Sequence, residues 1–496
     1  MESDQIVVVG AGLVGSLLAT SLQLKGYKVS LYERWGDIRA QTASSGRSIN
    51  LVATARGLRA LDTLPPELRA SLLELGTRVT GRIIHSGGDG DEPIFQRYGK
   101  DDTEFNYSIS RLELNKFLLN EAEKAGAHIH FNHALVDSDF AGEYPTLTFD
   151  VDSSAESPPQ LRASNVVVSA AGPVIAADGG GSAVRRALKA AGLCEYDEIM
   201  LDSGYKEMTF PKAAAEAGGM AGYGLHIWPC GEHMIMGLAN LDGSFTGTIY
   251  MDNEKGEESF AKLESGGPDA ARAFLEKHYA TALPLLGGGE SAGKQLAHNG
   301  RGILGTVRTK QWVSGKKVCL IGDAAHAIVP FFGQGMNSGF EDVKAMIALL
   351  SKHAPSGGAK DYVAAFAAFE AERKPNADAI ADMALENYVE MRASTGDPSF
   401  RKIKAVENAL ENSVLGSTFR SRYAMVCYGG AGNVSYAAAQ KLGKVQWEIV
   451  SELAEQVSSV EAAASEIDLE RAKQLLESKL APLQRELRVD LSTVRH

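Results

Sequence analysis

Three glycines and one acid carry the first chemical signal in the chain. A short apolar run, Ile6-Val7-Val8-Val9, leads into Gly10-Ala11-Gly12-Leu13-Val14-Gly15; a helical stretch follows, then Tyr27-Lys28-Val29-Ser30-Leu31-Tyr32-Glu33-Arg34. Glycines at this spacing give a tight turn, let backbone approach a pyrophosphate, and let a helix pack closely on a strand. The free amides that open the helix face the phosphates. Glu33 ends a second strand roughly 20 residues on, where a carboxylate can bind a ribose hydroxyl. A lone glycine motif is weak, but strand, turn, helix, strand and acid occur here in order. Gly10, Gly12, Leu13, Gly15, Glu33 and Arg34 are therefore expected to hold a dinucleotide.

Two later segments narrow that expectation to a flavin. In Ala177-Asp178-Gly179-Gly180-Gly181-Ser182-Ala183-Val184-Arg185, an Asp-Gly turn precedes a Ser and an Arg on a helix, which can place polar groups near a diphosphate. Alone it could equally be a turn with a surface arginine. In Lys317-Val318-Cys319-Leu320-Ile321-Gly322-Asp323, a buried strand ends in an acid suited to ribityl or ribose hydroxyls. Gly333-Gln334-Gly335-Met336-Asn337 then opens a helix whose positive end can stabilise negative charge on a reduced flavin ring.

The elements that must position these residues read as a βαβ unit, a sheet, a βα return and then helices. Ala127 to Leu135 looks like one strand, Val136 to Arg162 like strands or a hairpin, and Gly204 to Ile249 like antiparallel sheet. Ser86 to Asp91 is a turn, and Ser394 to Ser399 a loop in a region otherwise helical from Phe340 onward. The strand-like Val166-Val167-Val168 stands apart from the Asp178 turn, which predicts an insertion or a shifted register there. Gly429 to Asn433 has no buried strand before it and reads as a loop, so no second nucleotide unit is expected. Ile467 to His496 reads as a solvated amphipathic helix followed by a tail.

Bulk properties set the class. At 496 residues, two or three domains are expected. A net charge of −12 argues against a nucleic-acid protein. The four cysteines are scattered, without a CxxC, which suits a reducing compartment and gives no disulfide or metal framework. His128, His130 and His133 have no matching Cys or carboxylate cluster and read as strand residues, so no metal is expected. His326, in Gly-Asp-Ala-Ala-His, reads as a loop organiser rather than a base. No apolar run reaches the length of a membrane span. Met1 to Gln5 lead straight into the first strand, so no targeting peptide is expected.

The three cofactor motifs, in this order, resemble the single-component flavin aromatic hydroxylases, the family typified by para-hydroxybenzoate hydroxylase. The resemblance implies an α/β fold: a Rossmann-like FAD-binding domain with an inserted antiparallel-sheet substrate domain and a C-terminal helical region. The expected boundaries are 1–75, 101–200 and 300–380 for FAD, 76–100 and 201–299 for substrate, and 381–496 for the helices. Further segments resemble the branch of the family that acts on L-kynurenine: Gly46-Arg47-Ser48-Ile49-Asn50-Leu51, Gly81-Arg82, Tyr98-Gly99-Lys100-Asp101-Asp102, Ser108-Ile109-Ser110-Arg111, Gly204-Tyr205-Lys206-Glu207, Leu225-His226-Ile227-Trp228-Pro229, Pro330 to Asn337, and Met383 to Met391.

The resemblance implies hydroxylation of L-kynurenine to 3-hydroxykynurenine in tryptophan catabolism, using FAD, NADPH and O2 through a flavin hydroperoxide, with no catalytic side chain. Arg82 would bind the amino-acid carboxylate; Tyr98, Asn387 and Tyr423 would complete that polar end; Phe331, Phe332 and Leu225 would border the ring. Glu33, Arg111, Leu135, Asp323, Gly335, Met336 and Asn337 would hold FAD. By position alone, Arg82 reads as a solvated strand arginine, Tyr98 and Tyr423 as core, and Asn387 as a helix-surface amide. NADPH would bind without a domain of its own. The expected location is cytoplasmic, with peripheral contact at the mitochondrial outer membrane left open and the oligomeric state unassigned. The alternatives are a flavin hydroxylase of another amino-aromatic acid and a flavin-binding regulatory protein without turnover. A halogenase would need a Trp-x-Trp-x-Ile-Pro segment, and the four tryptophans here are scattered.

Overall fold

A computed structural model describes residues 5–40, 50–85, 92–99, 104–151, 164–170, 172–315, 317–390, 398–429 and 434–494. Of the segments named above, 1–4, 46–49, 86–91, 100–102, 152–162, 391, 394–397, 430–433 and 495–496 lie outside the described residues.

The apolar run Ile6–Val9 is wholly buried, as a strand covered on both faces must be. It lies at the centre of a six-stranded sheet ordered Val313–Ser314, Val318–Leu320, Val174–Ala176, Ile6–Val9, Val29–Tyr32, His128–His130. All neighbours are parallel except the edge pair Val313–Ser314 and Val318–Leu320. The helix Leu13–Leu24 leads from the central strand to one neighbour, whereas the other neighbour arrives some 140 residues later. The strand order therefore reverses at Ile6–Val9. Outside the carboxyl ends of strands at such a reversal is where α/β sheets open a ligand crevice.

The strand feeding the Asp178 turn is Val174–Ala176, and Val166 to Val168 belong elsewhere. They lie in Ser164–Ser169, which pairs antiparallel with Thr146–Val151 in a separate three-stranded sheet. This removes the spacing anomaly without an insertion. The single strand expected over Ala127 to Leu135 is two, His128–His130 and His133–Asp139. Asn132, at φ 57°, turns the chain between them. His130 stacks on Tyr32 at 4.5 Å.

The seven-stranded sheet runs Gly302–Thr309, Tyr196–Phe210, Phe245–Asp252, His233–Ala239, Gly224–Cys230, Gly81–Ile84, Ile94–Arg97. Strand period decides its two faces. Phe245, Ile249 and Met251 pack with Phe260, Phe274 and Leu275 of the helix Phe260–His278. Thr246, Thr248 and Tyr250 point to the other side, into a cavity.

The C-terminal helices, among them Tyr362–Val389, Arg422–Tyr428 and Tyr436–Ala454, build a second core that also contains Phe331 and Phe332. The stretch from Ile467 is not a solvated helix. Ala472, Leu475, Leu476 and Leu480 join that core, and the chain folds back to bury Leu491 and Val494. Its evenly mixed charges occupy the outer face of a docked helix. Among the described residues no helix is long and apolar enough to cross a membrane.

Candidate active site

A cavity of about 1150 Å³ runs from the glycine turn to the seven-stranded sheet. At one end, Gly10 adopts φ 98°, and a Cβ there would stand 2.5 Å from the carbonyl oxygen of Ala177. A Cβ on Gly15 would stand 1.9 Å from the carbonyl oxygen of Gly10, so the helix meets the turn only through glycine. Gly12 is different: a Cβ there meets nothing within 4 Å, because the position opens into the cavity. Glu33 closes the turn, its Oε2 accepting from the Ala11 amide at 2.8 Å and its Oε1 from the Trp35 amide at 2.9 Å.

The later motifs converge on the same end. Asp178 caps the helix Ala183–Ala190, its Oδ2 accepting from Ala183 N at 2.7 Å and Val184 N at 3.2 Å. Its Oδ1 is buried, has no partner and belongs to the cavity lining, and burial pushes the carboxyl above its ordinary value. Arg185 turns away from the cavity and donates to Ala324 O at 2.8 Å and Glu198 at 3.0 Å, tying this turn to the Asp323 turn. Asp323 follows Gly322 (φ 58°) and stands exposed in the cavity. His326 organises the loop as expected, its Nε2 lying 2.5 Å from Asp342 Oδ2.

Leu13, Arg34, Arg111, Leu135, Gly335 and Met336 also line this end. Gly15 and Asn337 do not. Asn337 is fully buried, donates to Val52 O and Gly333 O at 2.8 Å each, and accepts from Thr54 N at 2.9 Å. It thereby fixes the turn that presents Gly335 and Met336. A flavin dinucleotide fits what is present: a turn open only at Gly12, an orphaned carboxylate oxygen on Asp178, three cations (Arg34, Arg111, Arg186), and a 19-residue helix opening at Gly335.

At the other end stands Arg82, on Gly81–Ile84 and in register with Leu225. Its Nε is buried without a hydrogen-bond partner. Among the described residues no carboxylate lies within ion-pair distance of it. Burial works against its charge, but Tyr423 and Tyr98 offset this and hold it above the usual arginine value. Tyr98 and Tyr423 stack at 5.4 Å, Phe332 stacks on Tyr423 at 6.0 Å, and the Tyr423 ring lies 5.2 Å from the guanidinium carbon. Burial raises both tyrosine hydroxyls well clear of neutral pH. Phe331 packs on Tyr250 at 5.5 Å and Tyr388 at 4.5 Å.

Asn387 stands outside this lining. The long helix Tyr362–Val389 runs behind the aromatic wall, and Asn387 Nδ2 donates to Phe331 O at 2.8 Å. The remaining expected residues of this end, Arg82, Tyr98, Leu225, Phe331, Phe332 and Tyr423, are brought together. Sequence reading missed Arg186, Tyr205, Thr246, Thr248 and Tyr250. Arg186 adjoins the Asp178 motif, and the alternation of residues 245–252 carried the signal for the last three.

The profile of the family described as FAD binding domain matches residues 3–384. Kynurenine 3-monooxygenase of Myxococcus xanthus (strain DK1622) is 40% identical over 486 residues, spanning 98% of this chain and 97% of its own length. The enzyme of the same name from Stenotrophomonas maltophilia (strain K279a) is 40% identical over 426 residues, 86% of this chain and 88% of its own. Among solved structures, tetrameric 2-methyl-3-hydroxypyridine-5-carboxylic acid oxygenase superposes with a TM-score of 0.61 at 19% identity, over 80% of this chain and 95% of that one. P. aeruginosa PqsL, solved with 2-aminobenzoylacetate, gives 0.60 at 16% identity over 79% and 97%. At that identity the likeness is one of fold.

Proposed function

This chain belongs to the FAD-binding-domain family and, within it, to the kynurenine 3-monooxygenases; from that premise we propose that it converts L-kynurenine to 3-hydroxykynurenine with NADPH and O2. It is a flavin-dependent monooxygenase with FAD as cofactor. The observation that carries the substrate is Arg82, a guanidinium with a buried, unpartnered Nε at the end of an aromatic chamber continuous with the glycine turn. A planar fork of donors matches a carboxylate through two parallel hydrogen bonds. Tyr98 and Tyr423 add neutral hydroxyls, and Phe331, Phe332 and Leu225 flank the ring. Asn387 contributes at one remove, by holding the backbone of Phe331.

FAD, when bound, supplies the reduction and oxygen-activation chemistry that no side chain provides. Glu33, Arg34, Arg111, Leu135 and Asp323 would hold it, and the amides opening at Gly335 and Met336 would stabilise negative charge on it. No protein base is required, because the substrate's own aryl amine enriches the adjacent ring carbon. The chain's part is to align that carbon and keep water out with Ile227, Met236, Leu238 and Tyr250. The cysteines, all free thiols, suit a reducing cytoplasmic setting.

The test is mass spectrometry of products after incubation with L-kynurenine, NADPH and air, alongside the rate at which NADPH bleaches the flavin. Product heavier by one oxygen and bleaching accelerated by kynurenine are expected. Bleaching indifferent to kynurenine, with no hydroxylated product, would overturn the assignment.

A further inference from the structure

Away from the main cavity, three groups able to ligate a metal meet where the sheet touches its covering helices. Gly224–Cys230 and His233–Ala239 are joined by the two-residue turn Gly231-Glu232, with Gly231 at φ 60°. Cys230 and His233 are thus a cross-strand pair, which sets their side chains on one face. His278, the last residue of the helix Phe260–His278, comes down onto that face. One ligand atom from each of the three lies within 4.8 Å of the other two.

The hydrogen bonds around the cluster select which ring nitrogens are free. His278 Nε2 lies 2.6 Å from Glu258 Oε1, so its Nδ1 is the lone-pair nitrogen, and it faces Cys230 Sγ at 3.5 Å. His233 Nδ1 lies 2.7 Å from the Tyr279 hydroxyl, leaving Nε2, which is 3.5 Å from Glu258 Oε2. Both imidazoles are therefore oriented by an outer partner, the arrangement that metal-bound histidines adopt. A tetrahedral zinc ion, with bonds of about 2.3 Å to sulfur and about 2.0–2.1 Å to nitrogen, needs S···N separations of roughly 3.5–3.6 Å. The Cys230–His278 distance already meets that.

We propose that Cys230 Sγ, His233 Nε2 and His278 Nδ1 form a three-ligand site for a zinc-class divalent cation. One thiolate with two imidazoles is a donor set for zinc or cobalt, not for magnesium or calcium. Cys230 and His278 are only half-buried, so the fourth position is reachable by water, and Glu258 Oε2 lies on the ligand side to hold it. Lys277 pairs with Glu258 at 2.7 Å and balances the added carboxylate charge. Cys230 and His233 share a small pocket with Tyr250, Phe331 and Tyr388, so a bound ion braces the hairpin directly behind the chamber wall.

The test uses the full-length FAD-loaded protein, stripped with a chelator and titrated with Co²⁺. Expected is one equivalent of tetrahedral cobalt, with d–d bands at wavelengths beyond the flavin absorption and displaced by Zn²⁺. Glu258→Gln should weaken binding roughly 10- to 100-fold, as loss of an outer partner does. Cys230→Ser and His278→Gln should weaken it further, while His128→Gln leaves it unchanged. In the unaltered protein, Zn²⁺ should slow iodoacetamide labelling of Cys230 at least tenfold and leave the buried Cys194, Cys319 and Cys427 as they were. No saturable cobalt spectrum, equal affinity in the Cys230 and His278 variants, or Cys230 labelling indifferent to Zn²⁺ would overturn the site.

Discussion

Arg56 and Arg82 both lie beside tyrosine rings, the first buried and the second half-buried with its Nε covered, and what else surrounds them differs. Arg56 donates from Nε to Val426 O at 2.7 Å and from Nη2 to Met425 O at 3.0 Å and Val434 O at 2.7 Å. It pairs with Glu341 at 2.8 Å, and its guanidinium lies 4.1 Å from the centre of the Tyr436 ring. Arg82 has tyrosine rings beside it, a buried Nε with no acceptor, and a cavity in front. Covering a guanidinium costs hydration in both places, wholly at Arg56 and in part at Arg82. At Arg56 the fold itself offsets that cost. At Arg82 part of it is left unmet by the protein, which fits the carboxylate-binding role proposed for it, whereas Arg56 holds helices together.

The largest expected effect lies on the Arg56 side. Arg56→Ala takes the donor from three carbonyls and leaves Glu341 with Arg373 alone, at 3.2 Å, and should cost about 3–5 kcal/mol of stability, read as a lowered denaturant midpoint of the FAD-loaded protein. Arg82→Ala should leave that midpoint in place and weaken kynurenine binding by about 2–5 kcal/mol in a titration. If Arg82→Ala unfolds early instead, the contrast between the two arginines fails. Asp323→Ala, at the cofactor end, should lose about 1.5–3 kcal/mol of FAD affinity, seen as flavin-poor protein after purification. Tyr98→Phe should cost only about 0.5–1.5 kcal/mol of substrate binding, the scale of one neutral hydrogen bond.

The contrast also explains what the sequence made legible. The cofactor end is local: Gly10, Gly12, Gly15, Glu33 and Asp323 belong to short segments whose spacing follows from turn and strand geometry, and the structure brings those segments together as expected. The substrate end is assembled from strand, loop and helix segments spread from residue 82 to residue 423, and only family likeness pointed to Arg82 and Tyr423. Spacing cannot report that Asn387 faces the back of Phe331, because a helix shows its period but not its neighbour. The same limit hid Cys230, His233 and His278, where a two-residue turn and a helix end meet from 45 positions apart in the chain. The error over residues 467–496 has a similar origin: charges on one face said nothing about what docks on the other.

A pair of histidines gives the smallest effect and the sharpest control. His85 Nε2 lies 2.9 Å from His226 Nδ1 and stacks on Trp228 at 4.0 Å, a contact satisfied within the sheet, as Arg56 is within the helices. Burial, reinforced by His226, brings His85 down from 6.5 to about 4, and burial lowers His226 as well. The folded protein therefore holds these rings neutral while the unfolded chain protonates them. Their contribution is complete above pH 6.5 and is lost as pH falls toward 4. The melting temperature of the FAD-loaded protein should slope downward across that window, and His85→Phe, which keeps the stack on Trp228, should flatten the slope. Kynurenine affinity should not follow His85 at all, since Arg82 keeps its charge throughout. A binding curve that changes in step with the melting slope, and flattens in His85→Phe, would show that the two regions are coupled and that self-satisfied and ligand-seeking charges cannot be told apart here by their partners alone.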